Sequence, residues 1–412
     1  MVQNDLYKSI IDLKNIEGAY FDLVSRFDDQ SKSSRYHSID GVRLNDLNHN
    51  SEEVIKQVQK ELIDCTPLHP LYNFWIPKKN FDKRQLYLYS IKDRIKAQAI
   101  ARAIEPIIEK NLSPWLFSYR SSHPSYYAGR SVVRRYLRYY GSDHVLVTDV
   151  SDYFYTIDKE ILISKLSALG LSESVMKLLV LFIKTKIYKD GSIFEVPLGV
   201  CAGTPLVVLF GNLYLNDLDH YLGSKVSLYR RVGDDIILFD PSLEKLKSLN
   251  LYINEEVKRL KLVIKPAKTK LINTAKPFNF LGYRFFDKKI GIEASFMKKK
   301  SKEWKRDLAK YPGKNLEKKM LHFKKCLFIN SNNFHNQFKQ IVLEKSLANY
   351  GEDFEKLSEI FFKILTTYFF GKYTPRNRRL LNDLLKNIPI NSIYKYYLKV
   401  HYDKGKLSGI SF

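Results

Sequence analysis

The sequence predicts an α+β protein in which helical regions flank a central group of strands. Residues 1–70 and 291–412 have the apolar spacing of helices. Between them, Arg231–Phe239 (RVGDDIILF) has the pattern of a strand, a tight turn and a second strand. The β-branched run His144–Asp149 (HVLVTD) predicts a further strand. A sheet is therefore expected in the middle of the chain.

The composition indicates a globular protein with a phosphate-rich partner. Hydrophobic residues make up 45% of the 412, and Lys and Arg exceed Asp and Glu by 24. Such a surplus favours nucleic acid, because each neutralised phosphate releases counterions. An anionic membrane is the alternative, but no apolar run approaches the ~18–20 residues that span a bilayer. Three widely spaced cysteines and no visible secretion signal predict a cytoplasmic protein with reduced thiols and no membrane partner.

Three regions are expected along the chain. Residues 1–70 form an N-terminal helical extension, in which a helix should open with Ser51 as its N-cap and acidic residues in its first turn. Residues 71–290 contain the strands and the polar motifs. Residues 291–412 form a basic helical region, since Lys298–Lys325 alone holds twelve Lys and Arg against three acids.

Two segments before the first central strand have the chemistry to bind phosphate. Ile76–Arg84 (IPKKNFDKR) reads as a basic loop or hairpin, in which Lys78 and Arg84 could clamp a triphosphate. A solvated basic loop is the alternative. The stretch 117–140 interleaves five arginines with tyrosines, which suits a nucleic-acid strand or, equally, the packing face of a helix.

The acidic residues form the most informative pattern. Gly233 and Asp234 suit the centre of a type II′ hairpin turn, and Asp235 follows directly. Adjacent carboxylates repel each other and require a compensating cation. If the strand that ends at Asp149 lies next to this hairpin, three carboxylates would hold two Mg²⁺ ions in place for phosphoryl transfer. A surface hairpin with an acidic turn is the alternative.

Two further segments have weaker signals. Pro197–Pro205 (PLGVCAGTP) is a loop whose glycines permit close approach of the backbone to a substrate, or a plain turn that enters a core helix. A single long apolar helix is expected from Leu206 to Leu222. Lys268 is a candidate proton donor, or an exposed lysine without a role.

The order of these motifs over about residues 70–290 resembles the reverse transcriptases, and the resemblance depends on the whole series. In chain order the matching segments are Ile76–Asn80, Arg84–Leu86, Ile91–Arg94, Asp149–Phe154, Gly199–Leu206, Gly211–Asp219, Val232–Asp235, Lys268–Thr269 and Phe280–Tyr283.

The resemblance implies a right-hand polymerase fold. Residues 71–290 would be fingers and palm with an antiparallel palm sheet, and residues 291–412 a mainly helical thumb. The implied activity is RNA-directed DNA synthesis from dNTPs on an RNA template. Two Mg²⁺ ions would serve as cofactors, with Mn²⁺ as an alternative ion.

The resemblance also assigns roles to individual residues. Asp149 and Asp234 would bind the metal ions with support from Asp235, and the carbonyl of Val150 would complete the nucleotide-side site. Lys268 would assist departure of pyrophosphate. The ring of Phe154 would exclude a ribose 2′-hydroxyl by its volume. Residues that would contact the incoming dNTP are Lys78, Arg84, Phe154, Ala202 and Gly203.

Two departures from the family pattern keep other functions open. Val232 replaces the usual tyrosine and Ala202 the usual glutamine. Gly233-Asp-Asp also resembles viral RNA polymerases, so an RNA-templated RNA polymerase is one alternative. A template-independent nucleotidyltransferase and an RNA-binding scaffold are two more.

Without a maturase extension, an endonuclease or a retron-like thumb motif, the chain is most similar to bacterial defence-associated reverse transcriptases (abortive-infection or "unknown group"). Many of these work with a structured non-coding RNA. The oligomeric state stays open.

Overall fold

The computed structural model describes residues 2–25, 50–77, 83–120, 122–310, 315–325, 337–338, 341–342, 345, 347–386, 393, 395 and 397–398. Its α-helices are α1 Val2–Ile11, α2 Leu13–Val24, α3 Ser51–Ile63, α4 Ile91–Asn111, α5 Ser125–Arg138, α6 Tyr153–Thr156, α7 Lys159–Ser167, α8 Glu173–Ile183, α9 Pro205–Tyr214, α10 Asn216–Lys225, α11 Leu243–Arg259, α12 Ala294–Ala309, α13 Leu316–Lys324, α14 Glu352–Phe370 and α15 Pro375–Leu385. Its strands are β1 Leu71–Pro77, β2 Lys83–Leu88, β3 His144–Asp149, β4 Lys186–Lys189, β5 Ser192–Glu195, β6 Leu228–Val232, β7 Asp235–Asp240, β8 Lys270–Asn273, β9 Phe278–Phe280, β10 Tyr283–Phe286 and β11 Lys289–Ile292.

The chain divides into two compact units. The first contains Met1–Ala128 and Asp143–Ile272, and the second contains Gly129–Ser142 and Asn273–Phe412. The first unit combines helices with two small sheets and the second combines helices with one, so the chain mixes helix and sheet as the predicted α+β class requires. Within the described ranges, no helix is both long and apolar enough to cross a bilayer.

The sheet that carries the acidic residues lies in the first unit. Its strand order is β6-β7-β3-β8, and both the β6–β7 and β3–β7 pairs are antiparallel. Leu146 on β3 and Ile236 and Leu238 on β7 are fully buried. Helix α11 packs against β3 and β7. This packing anchors the two strands and thereby fixes the ends that carry the acids.

A second sheet of the first unit has the order β2-β1-β4-β5. Strands β1 and β2 are antiparallel, whereas β1 and β4 are parallel and therefore connected by a long crossover. Helix α4 begins behind the N-cap Ser90, whose side chain accepts a hydrogen bond from the N–H of Asp93. The second unit contains the third sheet, with the order β11-β10-β9.

Two expectations about helix boundaries were wrong. The N-cap of α3 is Asn50 rather than Ser51, and its side chain makes no capping hydrogen bond. The expected helix over 206–222 is two helices, α9 and α10, with the break at Leu215. The amide of Asn216 accepts a hydrogen bond from the N–H of Ser113 and donates one to the carbonyl of Asn111, both at 2.8 Å. These bonds fix the start of α10 to a neighbouring segment.

Candidate active site

The acidic turn is a two-residue hairpin loop. Val232 pairs with Asp235, which leaves Gly233 and Asp234 as the loop. Gly233 has φ +67°, as the first central residue of a type II′ turn requires. A Cβ atom added at Gly233 would meet no atom within 4 Å. Glycine is therefore favoured here by the backbone conformation and not by lack of space.

The neighbouring strand brings Asp149 to this turn. Asp149 is directly opposite Asp235 in the β3–β7 register, and the N–H of Val150 donates to the carbonyl of Asp234 at 3.3 Å. Burial and the charge of Asp149 raise the pKa of Asp234. The charge of Asp149 is thus close enough to disfavour the ionised form of Asp234.

Two lysines approach Asp149 from the segment that precedes β8. The Nζ of Lys268 donates to one carboxylate oxygen, Oδ2, and the Nζ of Lys265 lies 3.5 Å from the other, Oδ1. Partial burial lowers the pKa of Lys268, but the hydrogen bond to Asp149 and its charge outweigh burial and raise it. The sequence singled out Lys268 and missed Lys265, which lies three residues earlier at the start of the short 3₁₀ helix Pro266–Lys268.

The residues around Asp149 fit a hard divalent cation. The carboxylate of Asp149 is only 3% exposed, and among the described residues its buried Oδ1 accepts no hydrogen bond, with the Lys265 Nζ 3.5 Å away. Among the side chains that the structure describes, no group of three or more His, Cys, Asp or Glu is placed to hold a metal ion. Mg²⁺ is usually bound by one or two carboxylates together with water and substrate phosphates, and Asp149 could supply one of these carboxylates.

A buried ion pair supports the turn from behind. The guanidinium of Arg231 donates to both carboxylate oxygens of Asp219, at 2.7 and 2.6 Å, and both side chains are fully buried. The hydroxyl of Tyr229 donates to the same carboxylate at 2.7 Å. Arg231 also donates to the carbonyl oxygens of Gly233 and Asn212, each at 3.0 Å. The guanidinium therefore connects the turn to α9 and α10.

Ser118 extends this network to the turn itself. Its hydroxyl accepts a hydrogen bond from the N–H of Gly233, and its carbonyl accepts one from the Asn212 side chain at 2.8 Å. Sequence reasoning assigned no function to Arg231, Asp219 or Ser118, although all three lie in or beside the motifs. Arg231 and Asp219 are charged residues within a predicted strand and a predicted helix, which was their signal, whereas Ser118 carries no comparable signal.

Phe154 packs against α9, the helix that follows the glycine loop (Pro197–Pro205). A Cβ atom added at Gly211 of α9 would lie 2.6 Å from the Phe154 ring. The hydroxyl of neighbouring Tyr153 donates to the carbonyl of Gly211 at 2.5 Å. The Phe154 ring therefore fits against α9 because Gly211 has no side chain. Phe154 lies five residues after Asp149.

The glycine loop lies between the segment around Phe154 and strand β2. The N–H of Val200 donates to the carbonyl of Phe154 at 2.8 Å. Tyr89, just after β2, donates from its hydroxyl to the carbonyl of Cys201 at 2.7 Å. Gly203 has φ +146°, and a Cβ atom there would lie 3.1 Å from the carbonyl of Tyr87. Ala202, between these contacts, is partly exposed.

The predicted site residues form two groups. The first contains Asp149, Val150, Asp234, Asp235 and Lys268, and the second contains Phe154, Ala202 and Gly203. Lys78 lies outside the described residues. For Arg84 the structure describes the backbone only, which pairs with Ile76 in the β1–β2 register. The triphosphate-binding roles of these two residues stay predictions.

An acidic turn beside a lysine on an antiparallel sheet is an arrangement that phosphoryl-transfer sites can use. The sequence model of the family described as reverse transcriptase (RNA-dependent DNA polymerase) matches residues 76–285, about half of the chain. The chain belongs to the reverse transcriptase family, and it is an RNA-directed DNA polymerase. This membership implies the right-hand polymerase fold.

Two curated proteins are among its relatives. Protein YkfC of Escherichia coli K12 is 25% identical over 302 residues, which cover 63% of this chain and 78% of that protein. The putative COX1/OXI3 intron 2 protein of Saccharomyces cerevisiae is 22% identical over 227 residues. That match covers 54% of this chain and 25% of the yeast protein.

Proposed function

We propose that this reverse transcriptase copies a structured non-coding RNA partner into DNA in bacterial antiphage defence. Residues 71–290 act as fingers and palm, residues 291–412 as thumb, and residues 1–70 as a helical extension. The observation that carries the polymerase site is the position of Asp149 opposite Asp235 and its electrostatic coupling to Asp234. The defence role and the RNA partner rest on the motif resemblance, including the unusual Val232 and Ala202.

Asp149, Asp234 and the carbonyl of Val150 would hold Mg²⁺, with Asp235 in support. In an extended strand, the N–H and the C=O of one residue point to the same side. The N–H of Val150 donates to the carbonyl of Asp234. The Val150 carbonyl therefore faces the same side as the acidic turn. When bound, the metal supplies positive charge for the transferring phosphoryl group and lowers the pKa of the attacking hydroxyl.

The chain's own residues perform the remaining steps. Lys268, which is protonated at neutral pH as lysines ordinarily are, donates a proton to the departing pyrophosphate. The Phe154 ring excludes the ribose 2′-hydroxyl. Ala202 and Gly203 bring the loop backbone to the incoming dNTP, and Lys78 and Arg84 hold its phosphates.

The exposed face of α5 supports nucleic-acid binding. Arg130, Arg134 and Arg138 are exposed, whereas Val132 and Tyr136 are fully buried. Four residues of helix rise about 6 Å, so the three arginines follow one another at even intervals along the helix. The helix contains no acidic residue that would neutralise them. Such a row suits a phosphate backbone.

The proposed function is tested by primer extension with the Asp234→Asn protein. Loss of one metal-binding carboxylate should reduce dNTP incorporation at least about a thousandfold, because the phosphoryl group loses its charge stabilisation. Asp64→Asn, at an exposed position on the C-terminal side of α3, is the matched control. An Asp234→Asn protein as active as wild type would overturn the assignment. Sequencing the RNA and DNA that copurify with the protein tests the structured RNA partner.

A second candidate, an RNA-templated RNA polymerase, is favoured by Gly233-Asp-Asp alone. Purified wild-type enzyme that incorporates rNTPs in preference to dNTPs would establish it. We expect the reverse preference, and Phe154→Ala should shift incorporation toward rNTPs because the 2′-hydroxyl then has space.

A further inference from the structure

Tyr119 combines an unfavourable backbone conformation with an exposed ring. Its φ is +53°, in the left-handed region that disfavours bulky L-residues. Its side chain is 70% exposed, so the ring contributes little burial that would offset the strain. A strained residue persists only where its surroundings fix it, and such residues concentrate at functional sites.

Both neighbours of Tyr119 are fixed in the interior. Ser118 is bonded to Gly233 and Asn212, as described above. Arg120 is buried, and its Nε lies 2.9 Å from both carboxylate oxygens of Glu109. Its Nη1 also donates to the carbonyl of Leu116 at 3.0 Å. With residues 118 and 120 held inward, the chain between them turns outward and presents the ring of Tyr119 to solvent.

The backbone segment that carries this ring runs beside the acidic turn. Leu116 forms a parallel bridge with Arg231, and the N–H of Phe117 donates to the carbonyl of Arg231 at 2.9 Å. The segment therefore continues along the open edge of β6 as far as Gly233. The hairpin residues 231–235 contain no aromatic side chain, and the space above Gly233 is open.

We propose that Tyr119 contacts the terminal base pair of the template–primer duplex and so determines how the duplex end is held at the acidic turn. The proposal rests on the polymerase function proposed above. A tyrosine ring offers a flat, rigid face on which a base or sugar can pack, and such stacking is tolerant of sequence. The left-handed backbone keeps the ring available on the surface.

The test compares three substitutions of Tyr119 in steady-state primer extension. Tyr119→Leu and Tyr119→Gly should raise the KM for template–primer about tenfold or more, whereas Tyr119→Phe, which keeps the ring, should stay within about twofold of wild type. The KM for dNTP should not change. Tyr119→Gly should also raise the thermal midpoint, because glycine adopts a positive φ without strain. Phe21→Leu, an exposed ring on α2, is the matched control.

A fluorescent 2-aminopurine at the duplex end gives a readout independent of turnover. Wild type and Tyr119→Phe should change its emission in the same way, and Tyr119→Leu should abolish that change. The proposal is overturned if Tyr119→Leu and Tyr119→Gly bind and extend duplex as wild type does. It is also overturned if Tyr119→Gly lowers the thermal midpoint, since the residue would then be structural. With Asp234→Asn inactive, either result leaves the polymerase function standing.

Discussion

Asp219 behind the turn and the two acids at the turn, Asp149 and Asp234, differ in how their negative charges are compensated. Asp219 lies behind the turn and receives three hydrogen bonds, two from Arg231 and one from Tyr229. Asp149 and Asp234 lie at the turn, where the charge of Asp149 helps to raise the pKa of Asp234 even though Lys265 and Lys268 contact Asp149. The charge of Asp219 is compensated by one buried guanidinium, whereas Asp149 and Asp234 share two partly exposed lysines.

This difference separates a structural role from a catalytic one. A buried charge whose hydrogen-bonding capacity is met within the protein holds neighbouring segments in place. A carboxylate whose pKa is raised by a neighbouring carboxylate gains from a bound cation. The back of the turn is therefore held by the protein's own groups, whereas a bound cation would stabilise the front further.

The largest stability effect is expected behind the turn. Arg231→Met leaves Asp219 buried without its counter-charge, which should reduce the free energy of unfolding by about 3–5 kcal/mol. The double variant Arg231→Met with Asp219→Leu should recover a large part of that loss, because no unpaired charge remains. Urea denaturation measures both values. If the single variant were as stable as wild type, the pair would not be the support described here.

A smaller stability effect is expected at the front of the turn, from metal binding. Saturating Mg²⁺ at a hundred times its Kd should stabilise the folded protein by about 2.7 kcal/mol. A thermal-shift titration measures this, and Asp149→Asn should remove most of it because one ligand is lost. Asp64→Asn should respond as wild type does. An equal shift in Asp149→Asn would place the ion elsewhere.

The smallest effect is a pH dependence without divalent ions. The folded pKa of Asp234 is raised, so the folded protein binds the proton more tightly than the unfolded chain. The free energy of unfolding should therefore fall as the pH rises from the ordinary pKa range of Asp through the raised pKa of Asp234. Above that pKa it should stay level. Asp234→Asn should remove this component. Denaturation midpoints of the two proteins, compared across that pH window, check the sign.

The acidic side of the turn, with Asp149 and Asp234, was predictable from sequence. The Arg231–Asp219 ion pair behind the turn was not. Short-range rules predicted the Gly233-Asp234 loop, and strand patterns placed Asp149 at a strand end. The pairing of β3 with β7 confirmed that those strands are neighbours. The Arg231–Asp219 pair joins residues twelve apart through a tertiary contact, and a charge in a strand pattern ordinarily indicates an exposed face.

The helix break at Leu215 was missed because it too depends on tertiary contacts. Apolar periodicity continues from Leu206 through Leu222, and nothing local marks Leu215. The break is associated with the bonds of Asn216 to residues 111 and 113, which are about a hundred positions away in sequence. Lys265 was missed because its contact with Asp149 depends on the 3₁₀ turn that follows it.

The close fit between Gly199 and the segment around Phe154 has a consequence for protein engineering. A Cβ atom at Gly199 would lie 2.5 Å from the backbone of Tyr155, and the next residue is bonded to the Phe154 carbonyl. The loop and the segment around Phe154 are therefore matched to each other through their backbones. A graft that replaces the loop should carry residues 153–157 with it, whereas a change of the Phe154 ring alone leaves these backbone contacts intact.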